Sequence, residues 1–529
     1  MLCLHSSTGA LVDRALDSGA TYNPYGRIMR TTAARVVAAT ISAVLTVVLT
    51  ACGGTSAPAD RQLVVGVSTS PSSLDPTTAD GAAISQALLY NVYETLVKIN
   101  DTGDIVPLLA KEWSVSPDGT SYTFELQPRA TFASGAPVDS HAVIASLQRI
   151  IDDPAVLPIL KKKMEPVSSM TAVDADTVQV QLNQPSNSWL FDIAERAGII
   201  MDPNSHANAA SQPQGSGPFR LDNWTQGDEI KLVRNSSYWG TGTKLAGITF
   251  RKYADPNAMN AAMLSGELDI ISNVAAPEAL SQFSDKRFTV LEGTSTGEII
   301  LAYNHASPAL SNLQVRQAIN YAIDRKALRD SVWAGKGELI GSMVAPTDPW
   351  YQDLSGEYPY DPAKARELLA ASGITDLNLR LRIPTLPYAP GAASYITSQL
   401  AEVGITATVD QLEFPATWVQ TVMVERNYDM TIISHTESRD IANFANPGYY
   451  WNYNNTAVQE SIAAANVAPT TAERDQLMAQ AAKLISDDAA ADFLWLLPNL
   501  VVTTSDVTGV GANAVSLSFD MTAAAAPPK

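Results

Sequence analysis

The sequence predicts an α/β protein, because stretches with a two-residue apolar alternation interleave with stretches repeating every three to four residues along the chain. Hydrophobic residues make up 46% of the composition. About 475 residues follow Cys52, enough for two or more domains that hold by core burial. Cys3 and Cys52 are the two cysteines, and Cys3 falls in a segment expected to be removed, so no intrachain disulfide is expected. With no internal repeat and no long low-complexity linker, the domains are expected to pack closely.

At the N-terminus, Arg30 and Arg35 precede the apolar residues 36–50, and small residues lead into Leu49-Thr50-Ala51-Cys52-Gly53. A basic start, a short apolar middle and small residues at the cut are the grammar of a secretory leader. The apolar stretch is shorter than the roughly 20 residues a membrane span needs. Its last residues resemble the lipobox of bacterial lipoproteins, so Cys52 is expected to carry a diacylglyceryl anchor. Residues 1–28 lack leader character and are expected to be a mis-called extension; residues 29–51 are read as the signal peptide. Residues 52–61 (CGGTSAPADR) read as the lipidated cysteine and a tether, whose nine residues past Cys52 reach at most roughly 30 Å.

Residues 63–67 form a short apolar strand, followed by the turn-rich residues 70–76 (SPSSLDP). Ile84, Leu88, Val92 and Leu96 recur every four residues, one stripe of a helix. Tyr122, Phe124 and Leu126 alternate as a half-buried strand does, as do Val178, Val180 and Leu182. Between them Val143, Leu147, Ile150 and Ile151 mark an amphipathic helix capped by Asp139 or Ser140. Val315, Ile319, Ala322 and Ile323 share a later helical face. Asp361-Pro362 opens another helix, through Leu368 and Leu369, that Gly373 closes. Leu377, Leu379, Leu381 and Ile383 alternate as a strand. Ile396, Leu400 and Val403 make a helix ended by Gly404, and Ile405, Ala407 and Val409 return as a strand. Thr470 with Glu473 has the form of a capping box ahead of Leu477, Ala481 and Leu484. Residues 523–529 (AAAAPPK) are expected to be disordered.

Charge excludes some partners. The chain carries −19; residues 1–51 contribute +2 (four arginines, two aspartates), leaving −21 for the remainder. So acidic a surface repels phosphate, which argues against nucleic acid and anionic lipid as ligands.

Several blocks resemble the extracytoplasmic solute-binding proteins of peptide and nickel ABC importers, the large bilobed Venus-flytrap type. They are residues 107–113 (PLLAKEW), 116–126 (SPDGTSYTFEL), 131–138 (TFASGAPV), 147–149, 215–219 (GSGPF), 234–239, 262–270 (AMLSGELDI), 315–325 and 360–369. They keep the family's order and cover nearly all of residues 61–510. The resemblance implies a periplasmic-binding-protein fold with an inserted subdomain. Lobe I would comprise residues 62–93, 208–296 and 501–522, the insertion residues 94–207, and lobe II residues 297–500, with ligand in the cleft between lobes. Asp118-Gly119 reads as a hairpin turn, and Gly215 and Gly217 as turn geometry before a strand. Arg316, Asp324 and Arg325 read as a scaffold ion-pair set around a helix. These blocks identify the fold rather than the ligand contacts.

In peptide-binding members, the resemblance implies, an acid in a Trp-x-x-Asp-Tyr-like segment anchors the peptide ammonium. A bare ammonium leaves water only for a buried countercharge. The matching region here is residues 428–444 (YDMTIISHTESRDIANF), without the tryptophan or the tyrosine. Counting back from Phe444 selects Glu437, counting forward from Asp429 selects Ser438, and Asp440 is the remaining acid. Glu437 is the first expectation and Asp440 the second; the alternative is that both pair with Arg439 on a loop surface. Trp418 and residues 449–451 (YYW) are either cleft walls or core aromatics. Ser72 and Leu74 lie in the segment that lines the cleft from lobe I, and Tyr303 and Asn304 lie where the chain enters lobe II. His435 is either a haem ligand or a hydrogen-bonding loop residue. Histidines at 5, 141, 206, 305 and 435 show no paired spacing, so neither a metal site nor a resident cofactor is expected.

The chain lacks His-Glu-x-x-His, a phosphate-cradling glycine loop and paired cysteines, which points to a binding module rather than an exported hydrolase. The expected function is a monomeric, lipid-anchored receptor that captures short peptides and hands them to the permease and ATPase subunits of an ABC importer. Haem, a nickel chelate or a glutathione-like thiol peptide remain alternative ligands for the same fold.

Overall fold

The computed structural model describes residues 61–79 and 81–528. The expected extension, the expected signal peptide, Cys52 and all but the last residue of the expected tether lie outside the described residues. Among the described residues, ten strands form one sheet around the long antiparallel pair Phe288–Tyr303 and Ala491–Thr504. Beyond the first of these lie Met430–His435, Asn378–Pro384 and Thr406–Leu412. Beyond the second lie Ile270–Ile271, Gln62–Val67, Gly247–Lys252, Glu229–Arg234 and Phe219–Thr225. A four-stranded sheet of Ala110–Val115, Ser121–Leu126, Thr177–Leu182 and Val167–Asp174 forms the inserted subdomain, with its own core from Leu96 to Ile200.

In the second lobe the central pair is apolar, over residues 299–303 and 493–497, because both its faces are covered. Ile299, Leu301 and Tyr303 pack into one hydrophobic cluster of the second lobe, and Ile300 and Ala302 into another on the opposite face. Further along, Val501 faces one cluster of the first lobe while Leu500 and Val502 face a second. Between those halves the register slips from Gly293 to Gly297, opposite Leu497 and Asn499. Pro498 supplies no N–H there, so the ladder is interrupted on both strands where they pass from lobe to lobe.

Local signals act as their chemistry dictates. Asp139 accepts from Ala142 N–H to start Ser140–Asp152, and Asp361 accepts from Lys364 N–H to start Pro362–Ser372, which Gly373 ends at φ 68°. Thr470 accepts from Glu473 N–H ahead of Thr471–Asp487. Gly119 turns the Ser116–Ser121 hairpin at φ 69°.

Five expectations are corrected. The stripe from Ile84 to Leu96 is helical over Ala82–Leu88 alone: Tyr90 takes φ 63°, and Val92 and Leu96 are buried beyond the helix end. Arg61 is anchored rather than part of a tether, its guanidinium buried against Asp269 and Asp506. Residues 523–528 are packed: Thr508 and Ala525 exchange backbone hydrogen bonds at 2.9 Å, and Ala524 is buried against the first lobe's core. Small methyl side chains fit that seam without losing rotamer freedom. Gly215 and Gly217 are required by close approach, since a Cβ on either would collide with the carbonyls of Val92 and Asn91. Arg316 acts on the scaffold through carbonyls rather than an ion pair, Asp324 caps a helix by accepting from Ala327 N–H, and Arg325 combines carbonyl contacts with a buried 3.8 Å ion pair to Asp492. Arg316 donates to Leu310, Asp488 and Ala489, and Arg325 to Ile340, Phe493 and Ser355.

Candidate functional site

Antiparallel pairing of Met430–His435 with Phe288–Tyr303 sets His435 opposite Glu298. The chain then loops through Glu437, passes Arg439 at φ 60° and enters the turn Asp440–Ala445. That left-handed residue turns Asp440 inward, to 3% side-chain exposure, while Glu437 stays in solvent. His435 Nδ1 lies 3.0 Å from Asp440 Oδ2, and its Nε2 lies 3.0 Å from Tyr450 Oη with the two rings stacked. Even so, neither oxygen of Asp440 receives a hydrogen bond, nor does Glu298 Oε2. Burial, and next the charge of Asp440, holds the Glu298 carboxyl well above the usual range. Burial also lifts Asp348 to about 6 against the pull of Arg439.

The inserted subdomain faces this wall. Lys163 Nζ pairs with Asp192 at 3.2 Å and feels the charges of Glu195 and Glu437. Burial raises Glu195 to about 7, opposed by Lys163 and by the Leu517 N–H it accepts at 3.2 Å. Six carboxylates (Asp192, Glu195, Glu298, Asp348, Glu437, Asp440) thus share the interlobe region with three cations, Lys163, Arg439 and Arg474. The excess negative charge is suited to an ammonium group. Arg439 pairs with Asp348 at 3.5 Å and lies 3.8 Å over the Phe191 ring of the insertion, so neither acid beside it in sequence is neutralised by it.

Next to Arg439 is a cavity of about 490 Å³ walled by Trp350, Arg474, Ile462 and Met478 of the second lobe and by Asn187 and Ser188 of the insertion. The same Asn187 locks the two together. Its amide donates to the Ala465 and Ala468 carbonyls, both at 2.9 Å, and its N–H to Asn466 at 2.8 Å.

Of the residues expected to hold ligand, Asp440, His435 and Glu437 come together. Tyr449, Tyr450 and Trp451 pack against the His435 ring, whereas Trp418, Tyr303, Asn304, Ser72 and Leu74 do not join the group. Trp418 is a core aromatic whose indole donates to Thr431 at 3.1 Å, and Tyr450 and Trp451 are buried beside it; Tyr449 is half-buried against His435. Tyr303 donates to Asn320 at 2.6 Å inside the core. Asn304 donates to the Arg426 and Tyr428 carbonyls, and Leu74 is fully buried in the first lobe. Ser72 is exposed, its carbonyl taken by Gln226. Among the described residues no three His, Cys, Asp or Glu side chains converge as a metal site. Glu298 was missed from sequence, although an acid heading the apolar run 299–303 (IILAY) was a usable signal. Lys163, Asp192, Glu195, Asp348 and Arg474 sit on distant segments with no shared pattern.

Two lobes joined by a crossing strand pair, with a charged region between them, define a solute-binding protein of the importer type. The chain belongs to the bacterial extracellular solute-binding proteins, family 5, whose middle-region profile matches residues 104–459. This is an extracytoplasmic family serving ABC importers. The glutathione-binding protein GsiB of Escherichia coli K12 is 30% identical over 376 residues, 69% of this chain and 72% of its own. AgaA of A. tumefaciens R10, solved with agropinic acid, superposes with a TM-score of 0.74 at 25% identity, covering 88% of this chain and 99% of its own. Helicobacter pylori DppA, solved with the peptide STSA, shares the fold with a TM-score of 0.74 at 23% identity, covering 88% and 98%.

Proposed function

We propose that this protein is a lipid-anchored receptor that captures short peptides between its lobes and delivers them unchanged to an ABC permease. One observation carries the reading: Asp440 is buried next to a second buried carboxylate and, although His435 Nδ1 lies 3.0 Å from its Oδ2, neither of its oxygens accepts a hydrogen bond. Such a group is unfavourable until a cation fills it, and a peptide's α-ammonium has the donors to do so. Asp440 rather than Glu437 is therefore the anchor, because an exposed carboxylate holds a cation weakly. Glu437 stands at the rim opposite Lys163.

Relatives support a peptide-like ligand, since GsiB binds glutathione and DppA was solved with a tetrapeptide. A glutathione-like peptide also has the required ammonium. His435 is engaged by Tyr450 and Asp440, so haem or metal ligation through it is not part of this reading. The separate hydrophobic clusters support the lobe partition implied by the resemblance. The leader and the residues before Cys52 support diacylglyceryl attachment there. Replacing Cys52 by Ser should release the protein from membranes, and continued membrane retention would argue against the anchor.

Calorimetry with Ala-Ala-Ala and its N-acetyl form tests the capture site. The free amine should bind at least about tenfold more tightly, a charge-assisted contact of order 1.5–3 kcal/mol. Equal affinity for the two sinks the reading.

A further inference from the structure

We propose that the 490 Å³ cavity beside Arg439 is a receptor for an apolar organic carboxylate, and that it seats the carboxylate-bearing end of the captured ligand. The second half rests on the peptide reading above; the first does not.

Arg439 has five N–H donors and, among the described residues, donates no hydrogen bond with any of them. Its buried Nε makes no hydrogen bond and reaches Asp348 only as a long ion pair at 3.5 Å. The Arg439 side chain is 15% exposed, and its guanidinium carbon lies 3.8 Å from the Phe191 centroid and 5.0 Å from that of Trp350. A fixed planar fork of this kind is suited to a bidentate carboxylate. Arg474 lies over the same Trp350 at 5.7 Å and repels Arg439; its own hydrogen bonds go to Asp475. Two cations on one indole are stabilised by an anion between them. The remaining wall is apolar, from Trp350, Ile462 and Met478, and the volume is within the range of small-molecule sites. Charge and surface together select an acid with a hydrophobic body.

Arg439 adjoins Asp440 in sequence, and its Asp348 partner feels the charge of Asp440. The cavity and the acid wall are therefore neighbours of opposite sign. A ligand with an ammonium at one end and a carboxylate at the other spans both. Asn187 and Ser188 complete the cavity from the insertion, so filling it also favours the docked arrangement of the two bodies.

The test uses the full chain with 3-phenylpropionate and its neutral isostere 3-phenylpropanamide, followed by ligand-observed NMR and calorimetry. The acid should saturate in the millimolar range and bind at least about tenfold more tightly than the amide. In Arg474→Gln, which keeps Arg439 on Phe191, that preference should fall to about threefold or less. Arg439→Gln should abolish it, with circular dichroism checking the fold; if that variant unfolds, the Arg474→Gln titration decides alone. Equal binding of acid and amide overturns the proposal. So does no saturable binding of either up to about 10 mM, or a preference that survives Arg474→Gln. The N-acetyl peptide comparison fails or succeeds independently of these titrations, so the two readings are separable.

Discussion

Asp440 and Glu298 are two carboxylates held close in a region with little water, where like charges cannot both ionise without penalty. Their arrangement trades stability for binding. Asp440→Asn should raise the melting temperature of the ligand-free protein and lower peptide affinity roughly 10- to 100-fold, as loss of a buried charged partner does. Glu437→Gln should change affinity by less than about threefold, because its carboxylate is hydrated. Differential scanning fluorimetry and calorimetry on the same preparations check both, and a larger loss in Glu437→Gln would transfer the anchor to the rim. Trp418 belongs to a different category. Its indole fills the second lobe's core beside Tyr450, so Trp418→Ala should destabilise by about 3–5 kcal/mol in urea unfolding. Affinity measured on the remaining folded protein should be unchanged.

At the scale of elements, the helix Thr456–Asn466 ends beneath the inserted subdomain. Just past that helix end the Asn187 amide donates to the Ala465 and Ala468 carbonyls from across the lobe boundary. Asn187→Ala removes two hydrogen bonds and should accelerate ligand release about three- to tenfold with little change in the association rate. Stopped-flow measurement reads both constants; an unchanged release rate would show that the contact does not hold the lobes together. The crossing strands contribute in another way. Between Gly293 and Gly297 the register slips opposite Pro498, leaving a weakened ladder at the passage between lobes. Stiff sheet on either side concentrates bending there.

For the whole molecule, buried acids set the response to pH. Burial holds Glu94, Glu195 and Asp492 at about 7 and Asp348 at about 6, with Glu298 also raised. Above the usual carboxylate range the unfolded chain has lost these protons while the folded chain retains them. Stability of the ligand-free protein therefore falls as pH rises from about 4.5 to about 7, by on the order of 1.4 kcal/mol per unit for each group within its window. Asp75, Asp429 and Asp520 are held low and oppose this only in stronger acid. Melting temperature should decline between pH 5 and pH 7, whereas peptide affinity should rise as Glu298 loses its proton and attracts the ammonium. A melting temperature that climbs over the same interval would contradict the assignment of these groups.

Much of this was legible from sequence, and for a common reason. Helix caps at Asp139, Asp361 and Thr470, the alternating strands at 121–126 and 377–383, and the family blocks depend on neighbours a few residues apart. The sequence by itself therefore determined the α/β class, the two-lobed family and the segment around residue 440. Only the tertiary structure decided which acid is buried, because Glu437 and Asp440 differ in a single left-handed turn at Arg439. Likewise, Tyr303, Asn304, Trp418 and Leu74 have the residue types of a binding surface but fill cores. The pairing of Arg439 with Phe191 and Trp350, and the cavity they share with Asn187, join segments separated by roughly 90 to 250 positions. Contacts of that range leave no periodicity along the chain, since they arise from how the lobes and their insertion pack against one another.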